Sequence, residues 1–432
     1  MRNYLPIGFA SKGIIAYLLT IAAVSFIYLE HALPWWILLY STTSIVLFFY
    51  GSEKALNSWR NLSPQKFSQY LFWLAFLIRF IFVIFIYNFN YRHYGTYYES
   101  TIGDIGFYVA EGQQAAQWLS EGKLDIIQTW HSWGIGYSDM GYISYLGFLY
   151  FITMQSSIIV LPLILKALWG AITCLYMYRL AKNHFGEEIA RMTGIFCMLQ
   201  WNMITWCGSM MKETELVFLV VIFAYSADAY LSKGVRWDPI QILRMVASCF
   251  ALFTFRSALG MVAVLSVALA SLVSSQRIVS WGKRVGVVIL FIITLLVGLF
   301  GSFSTEMEHT LDQATNNTYQ RSNMEWRTKR QHGNSFAKYA SSAVFAPLIF
   351  TLPFPTMAYT HHGQEFTMLG NGGYYTKNVL SFFVIIAMLL LVMPYNYRKN
   401  LLDGEWRNHV FIMAYLGGYL AALALSNFGH SG

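Results

Sequence analysis

Long apolar runs separated by shorter polar segments dominate this sequence. A run of about 18 or more apolar residues is long enough to cross the hydrocarbon core of a bilayer. The pattern predicts an all-α fold: a polytopic membrane helix bundle with about 11 transmembrane helices plus juxtamembrane or re-entrant helices on the outer face. The predicted spans are 13–31, 34–50, 67–88, 158–178, 190–209, 214–232, 239–257, 258–276, 285–304, 378–395 and 409–426.

Two further apolar stretches, 141–154 and 341–359, are too short or too broken to be predicted as spans. The second contains Pro347, Pro353 and Pro355, which remove backbone donors and disfavour a regular helix. Non-helical backbone at membrane depth needs protein or water around it. We therefore expect both stretches to lie at the outer face, packed against the bundle.

Lysine and arginine recur in every second short loop, as the positive-inside rule predicts for cytoplasmic loops. These loops carry Arg2, Lys12, Lys54, Arg60, Lys66, Arg179, Lys182, Arg191, Lys233, Arg236, Arg277, Lys283, Arg284, Arg398, Lys399 and Arg407. The N-terminus is therefore predicted to be cytoplasmic. The polar segments 89–140, 305–340 and 360–377 then share the outer face, which indicates a common site there.

This topology divides the chain into four predicted parts. Residues 1–66 form two accessory spans, 67–304 a transmembrane core with the outer loop 89–140, 305–377 an outer loop with a re-entrant segment, and 378–432 the C-terminal spans. The first apolar run lacks a small-residue cleavage site, so it is predicted to be a retained span.

Composition agrees with a membrane protein, since 56% of the 432 residues are hydrophobic and only 12% are charged. Soluble proteins carry about 25% charged residues. The formal net charge of +8 is spread over short loops, so nucleic-acid binding is not expected. The four cysteines all lie in apolar runs without metal-ligand spacing, which favours a role in core packing.

The outer loop 89–140 contains a predicted helix that follows Asp104, because apolar residues recur there at helical spacing. Gly122 stands where a helix is expected to end. Asp104 is placed just before the helix, where an aspartate is a preferred N-cap for free backbone N–H groups. A capping carboxylate keeps one oxygen free, so Asp104 is also a candidate general base facing a cavity at the membrane surface.

An aspartate in the first outer loop, a tyrosine four residues later, a helix ending in Leu-x-x-Gly and a tyrosine-rich apolar segment form a pattern. This pattern resembles the GT-C superfamily of integral-membrane glycosyltransferases, particularly its mannosyltransferase and aminoarabinose transferase group. The matching residues are Asp104, Tyr108, Leu119, Gly122, the stretch 136–150 and the turn 178–186. The resemblance covers residues 67–235 well and the remainder only in topology.

The resemblance implies an inverting transfer of a sugar from a polyprenyl-phosphate donor to a hydroxyl of a glycan, lipid or protein acceptor. The reaction would take place in the lipid bilayer of a bacterial inner membrane, at the periplasmic face. Asp104 would be the general base, and cations would stabilise the departing lipid phosphate. The candidate substrate-binding residues are Tyr108, Trp130, His131, Lys212, Glu213, Arg256, Arg321 and Arg327.

These residues also have a purely structural interpretation. Lys212 and Glu213 begin a span and suit an interfacial ion pair with a snorkelling lysine. Arg256, in a tight turn between apolar spans, suits an interfacial anchor, although such a position is unfavourable for an arginine without a partner. Trp130 and His131 suit an aromatic belt at the membrane interface. The basic loop 305–340, which holds Arg321 and Arg327, suits a solvated surface.

Cofactor use is left open by the sequence. Many GT-C enzymes pair two acidic residues in this loop, but the neighbours of Asp104 are isoleucine and glycine. A second acidic residue would have to be Glu111, Asp125 or Asp139. No cofactor is therefore assigned, and a divalent cation is the one candidate.

Two other classes of protein share part of the pattern. A multi-span polysaccharide polymerase or ligase also has about a dozen spans, but its main outer loop comes late in the chain, whereas here the early loop is larger. A non-enzymatic lipid-linked-glycan transporter would show two related halves, and no such duplication is apparent.

Overall fold

The computed structural model describes residues 10–15, 18–19, 35–98, 103–123, 137–153, 160–231 and 239–273, together with positions 282, 285, 286 and 289. Across these residues the chain is helical and contains no strand. The α-helices are α1 (Trp35–Ser58), α2 (Pro64–Tyr94), α3 (Gly103–Ser120), α4 (Tyr137–Ile152), α5 (Val160–Leu199), α6 (Trp201–Thr205), α7 (Glu213–Leu231), α8 (Pro239–Phe255) and α9 (Ser257–Val273). A 3-10 turn, Trp206–Gly208, follows α6.

Three of the described helices, α2, α5 and α7, are long and apolar enough to cross a membrane. With 31 residues, α2 is roughly 46 Å long at 1.5 Å per residue, which exceeds the hydrocarbon thickness of about 30 Å. The all-helical class is therefore confirmed for the described residues, and these three helices agree with the predicted membrane association. The predicted total of about 11 spans is not confirmed. Helices α8 and α9, which match two predicted spans, have only 17 residues each, and several other predicted spans lie largely outside the described residues.

Several predicted features lie outside the described residues. The spans 285–304, 378–395 and 409–426 do so almost entirely, and the span 13–31 does so for most of its length. The same holds for the stretch 341–359 and for the polar segments 305–340 and 360–377. The four predicted parts of the chain stay predictions.

Helix α5 consists of two limbs that meet at Gly186, where φ is 82° and ψ is 177°. Only glycine adopts this conformation readily. The Tyr178 hydroxyl donates a hydrogen bond to the Glu187 carboxylate at 2.8 Å, and a Cβ on Gly194 would lie 3.2 Å from that of Tyr178. Residues on the two sides of Gly186 are therefore neighbours, and the limbs run antiparallel. The predicted turn 178–186 is present. The first limb continues as helix to Phe185, whereas the predicted span ended at residue 178.

The predicted span 190–209 is interrupted, because the helix stops before Gln200, whose backbone is extended (φ −63°, ψ 112°). Arg79, buried in the middle of α2, donates hydrogen bonds to the carbonyls of Cys197 at 3.0 Å and Met198 at 3.3 Å. Carbonyls in the last turn of a helix have no partner within the helix. The guanidinium of Arg79 donates to two of these free carbonyls and thereby stabilises the end of α5 beside the middle of α2.

Small residues allow the helices to approach closely. A Cβ on Gly147 of α4 would lie 2.4 Å from the Cβ of Ala115 of α3, and a Cβ on Gly112 would lie 3.0 Å from that of Leu146. Helix α2 packs against α5, α7 packs against α5 and α8, and α4 packs against α8. The short helices α3 and α4 are thereby attached to the longer ones.

One end of the described helices, which we call the basic end, holds the start of α2 and the Gly186 turn. There the Arg191 guanidinium donates to the carbonyls of Trp59, Arg60 and Leu62 at 3.0, 3.1 and 2.7 Å. These contacts join α5 to the loop before α2. The basic end therefore gathers several residues that the charge pattern assigns to the cytoplasm: Arg60, Lys66, Arg179, Lys182 and Arg191.

The opposite end holds the C-terminus of α2 and the N-terminus of α7. Near the C-terminus of α7, Asp228 contacts His184 at the basic end with an O–N distance of 2.8 Å, so Lys212, just before α7, lies at the other end. Gly208 is close to Phe82 and Ile86 in the C-terminal half of α2. The turn that leads into α7 therefore lies beside the far half of α2.

Candidate functional site

Helix α3 carries Asp104 in its first turn with an exposed side chain. The helix begins at Gly103, so Asp104 lies in the first turn of the helix. There the positive end of the helix dipole stabilises its carboxylate. The prediction that placed Asp104 before the helix as an N-cap is wrong by this small shift. The predicted C-terminus is confirmed, since Gly122 has φ 78°. The N–H of Gly122 donates to the carbonyl of Leu119 at 3.1 Å, and the N–H of Lys123 donates to that of Trp118 at 2.9 Å.

Two other segments bring charged side chains to α3. Lys212 is only 7% exposed, and its ammonium lies 5.8 Å from the centre of the Tyr108 ring. The charges of Arg256, Glu213 and Asp104 all act on Lys212, and the same three charges act on Tyr108. The structure thus brings together the five predicted site residues that it describes, and we call these five residues the charged cluster.

Burial is the main influence on the chemistry of the charged cluster. The pKa of Lys212 is lowered to about 8, chiefly by burial and to a smaller extent by the positive charge of Arg256, while Glu213 and Asp104 act in the opposite direction. Burial also raises the pKa of Tyr108, assisted by Glu213 and Asp104. Tyr108 therefore keeps its proton. Lys212 lies where an incoming anion would stabilise its charged form.

Glu213 supplies a second carboxylate to the charged cluster. Its Oε2 is buried and receives no hydrogen bond from the described residues. The sequence pointed instead to Glu111, Asp125 or Asp139 as the acidic partner of Asp104. Glu111 lies two turns further along α3, and the side chains of Asp125 and Asp139 are outside the described residues.

Arg256 is the single residue between α8 and α9, so the predicted tight turn is confirmed. The two helices pack against each other, and the Phe253 ring lies so close to Gly260 that a Cβ there would be 2.5 Å from it. Because one residue links the two helices, the Arg256 backbone is held by both. Its carbonyl accepts hydrogen bonds from the N–H groups of Leu259 and Gly260 at 2.9 and 3.3 Å.

A buried ion pair lies next to the charged cluster, because one of its members, Glu215, follows Glu213 in the first turn of α7. Lys166 Nζ is 2.6 Å from Glu215 Oε2, and the two side chains are 0% and 5% exposed. Lys166 lies within an apolar run of the sequence, where a charged residue is a signal of function in membrane segments. The sequence alone does not identify Glu215 as its partner, since the two residues lie on different helices.

The remaining site predictions lie outside the described residues: Trp130, His131, Arg321 and Arg327. Within the described ranges, no three or more His, Cys, Asp or Glu side chains come together as a group that could hold a metal ion. All four cysteines are free thiols, with Cys174 and Cys207 buried. Their placement agrees with core packing.

Comparison with known proteins identifies no relative. No protein-family model, no curated protein and no solved structure matches this chain. The position and charge of the residues in the charged cluster are therefore the basis for assigning a function.

Proposed function

We propose that this chain is a membrane glycosyltransferase that moves a sugar from a polyprenyl-phosphate donor to an acceptor hydroxyl, with Asp104 as the general base. The observation that carries the proposal is the charged cluster. Three separate segments bring an exposed carboxylate and two cations together at the end of the helices opposite the basic end. Such a site suits a reaction in which one group accepts a proton while another group gains negative charge.

Lys212 and Arg256 would bind the phosphate of the donor. As the bond between the anomeric carbon and the phosphate oxygen breaks, its electron pair leaves with the lipid phosphate, which gains negative charge. Lys212 is almost completely buried and Arg256 is half-buried. Charges act on each other more strongly where water is excluded, so these two cations are well placed to stabilise that negative charge.

Asp104 would activate the acceptor. A hydroxyl is a weak nucleophile, and a carboxylate within hydrogen-bond reach removes its proton as the oxygen attacks the anomeric carbon. Attack on the side opposite the phosphate inverts that carbon. The exposed position of Asp104 on α3 leaves room for an acceptor to approach, while the cations lie deeper.

The arrangement of the helices suits a lipid-linked donor. A polyprenyl tail is insoluble in water, so its phosphate stays at the depth of the lipid headgroups. We assign the basic end to the cytoplasm of a bacterial inner membrane by the positive-inside rule, which places the charged cluster at the periplasmic face. The acceptor is a glycan, lipid or protein hydroxyl presented at that face.

The direct test incubates the purified protein in detergent or liposomes with a panel of polyprenyl-phosphate sugars and candidate acceptors. The expected result is release of free polyprenyl phosphate and formation of a glycosidic bond with one donor. Movement of a donor across the liposome membrane without bond formation would instead identify a transporter.

Asp104→Asn removes the base while keeping the size of the side chain. General base catalysis contributes about 10²–10⁴-fold, so the variant should lose at least about a hundredfold in kcat. Glu111→Gln is the matched control, because it neutralises another carboxylate on the same helix two turns away. Full activity of the Asp104 variant would show that the catalytic assignment is wrong.

A further inference from the structure

Tyr142 of α4 lies at the centre of the three segments that form the charged cluster. Its side chain is completely buried. Its ring makes an edge-to-face contact with Tyr108 at 5.1 Å between centroids, and a second contact with Phe255 at 5.9 Å. Its hydroxyl donates a hydrogen bond to the carbonyl of Met210 at 2.9 Å.

Each of these neighbours adjoins a charged residue of the cluster. Tyr108 lies one helical turn after Asp104, Phe255 directly precedes Arg256, and Met210 stands two residues before Lys212. One side chain therefore contacts α3, the junction of α8 with α9, and the turn before α7. A small shift of Tyr142 would change the distances among all of them.

Lys166 holds the next residue of the same turn. Its ammonium lies 5.1 Å from the centre of the Tyr142 ring and donates a hydrogen bond to the carbonyl of Met211 at 2.5 Å. It also pairs with Glu215 in the first turn of α7. Two successive carbonyls before Lys212 are thus fixed, one by Tyr142 and one by Lys166.

Apolar packing alone does not account for these polar groups. Replacing a buried ion pair with well-packed apolar side chains is often neutral or stabilising, because burying two charges requires removing them from water. A phenylalanine at position 142 would keep the ring contacts and avoid burying a hydroxyl. The hydroxyl and the ammonium instead provide directional bonds to one short stretch of backbone.

We propose that Tyr142 and Lys166 are positioning residues that hold the turn before α7 so that Lys212 faces Asp104 and Arg256. The catalytic consequence of this positioning rests on the proposed glycosyltransferase function. The positioning itself rests only on the contacts of Tyr142 and Lys166. It extends the site to residues that touch no substrate.

The test compares Tyr142→Phe with Tyr145→Phe. Both changes remove a single hydroxyl from the same helix, but the Tyr145 hydroxyl contacts the indole of Trp169 at 3.0 Å rather than the turn before α7. The first measurement is the pH dependence of acylation of Lys212 by an amine-reactive ester, read by peptide mass spectrometry. It needs no substrate. The second measurement is kcat/KM for sugar transfer.

In the wild type, the acylation midpoint of Lys212 is expected near the lowered pKa of about 8. In Tyr142→Phe, water should reach the loosened turn and the midpoint should rise toward the ordinary lysine value. Transfer should fall by about tenfold, since a buried carbonyl is left without its donor. Tyr145→Phe should match the wild type in both measurements, and a variant that only lost stability would keep the midpoint.

A second variant keeps the test informative if Tyr142→Phe does not fold. Lys166→Met combined with Glu215→Met removes both buried charges and leaves neither unpaired. It should raise the Lys212 midpoint in the same direction. Unchanged midpoints and unchanged transfer in all of these variants would overturn the positioning role while leaving the proposed function intact. Full activity of Asp104→Asn would overturn the function but not the midpoint shifts.

Discussion

At the scale of single residues, the most informative feature is a buried lysine beside an arginine. Like charges placed together destabilise each other unless an anion or carboxylates offset them. Burial, assisted by the charge of Arg256, lowers the pKa of Lys212 to about 8, although Asp104 and Glu213 offset part of this effect. A phosphate that enters the charged cluster would therefore restore the stability of the ammonium, and its binding would depend on pH.

Binding of polyprenyl phosphate should weaken as pH rises above about 8. Below that pKa, Lys212 is already protonated in the free protein, and affinity should change little. Above it, binding requires uptake of a proton, so affinity falls with each further rise in pH. Titration calorimetry between pH 6.5 and 9.5, roughly spanning the pKa, would measure this.

Lys212→Met should bind more weakly and remove the decline in affinity above that pKa. Lys123→Met is the control, because Lys123 is exposed and pairs with Glu121 away from the charged cluster. An equally steep decline in the Lys212 variant would mean that another group controls the pH dependence.

At the scale of elements, the sequence predicted most described helices but not the place where the second limb of α5 ends. Gly186 is a visible signal for a turn, and both limbs are apolar. The break at Gln200 has no local signal, because it depends on Arg79 of α2 reaching carbonyls more than 100 positions along the chain. Likewise, Tyr142 looks like any other tyrosine of an apolar helix until its contacts with three segments are known.

Gly186→Ala should destabilise the protein by about 1–3 kcal/mol, because φ 82° with ψ 177° is accessible essentially to glycine alone. Among the described residues other than its chain neighbours, no side chain comes within 4 Å of a Cβ built at Gly186, so the effect would come from the backbone and not from a clash. Thermal unfolding in detergent would measure it.

Gly95→Ala is the matched control for that prediction. A Cβ at Gly95 likewise meets no described residue within 4 Å. Its φ of 71° with ψ of 3° lies in the left-handed region, which other residues enter at a cost of about 1–2 kcal/mol. The Gly186 variant should therefore unfold at the lower temperature. Equal stability of the two variants would show that the Gly186 backbone is not as restricted as its angles indicate.

At the scale of the whole molecule, the two ends of the helices differ in chemistry. At the basic end the Arg191 side chain is bound to loop carbonyls, whereas the opposite end carries the charged cluster. The sequence predicted this separation because positive loops alternate along the chain. It could not show which residues of distant loops meet, because that depends on how the helices pack.

Cysteine labelling should place the two ends on opposite sides of the membrane. In a background without the native cysteines, a membrane-impermeant maleimide added outside intact cells should modify Ser120→Cys but not Asn61→Cys. Both positions are exposed. Asn61→Cys should become reactive only after the membrane is permeabilised, and the reverse pattern would invert the proposed orientation.

The most direct measurement is an experimental structure of the protein with polyprenyl phosphate bound. The phosphate oxygens should lie within hydrogen-bond distance of both Lys212 Nζ and the Arg256 guanidinium, with the Asp104 carboxylate facing the same lipid-accessible hollow. A phosphate bound elsewhere, or an Asp104 side chain turned away from any such hollow, would contradict the proposed site.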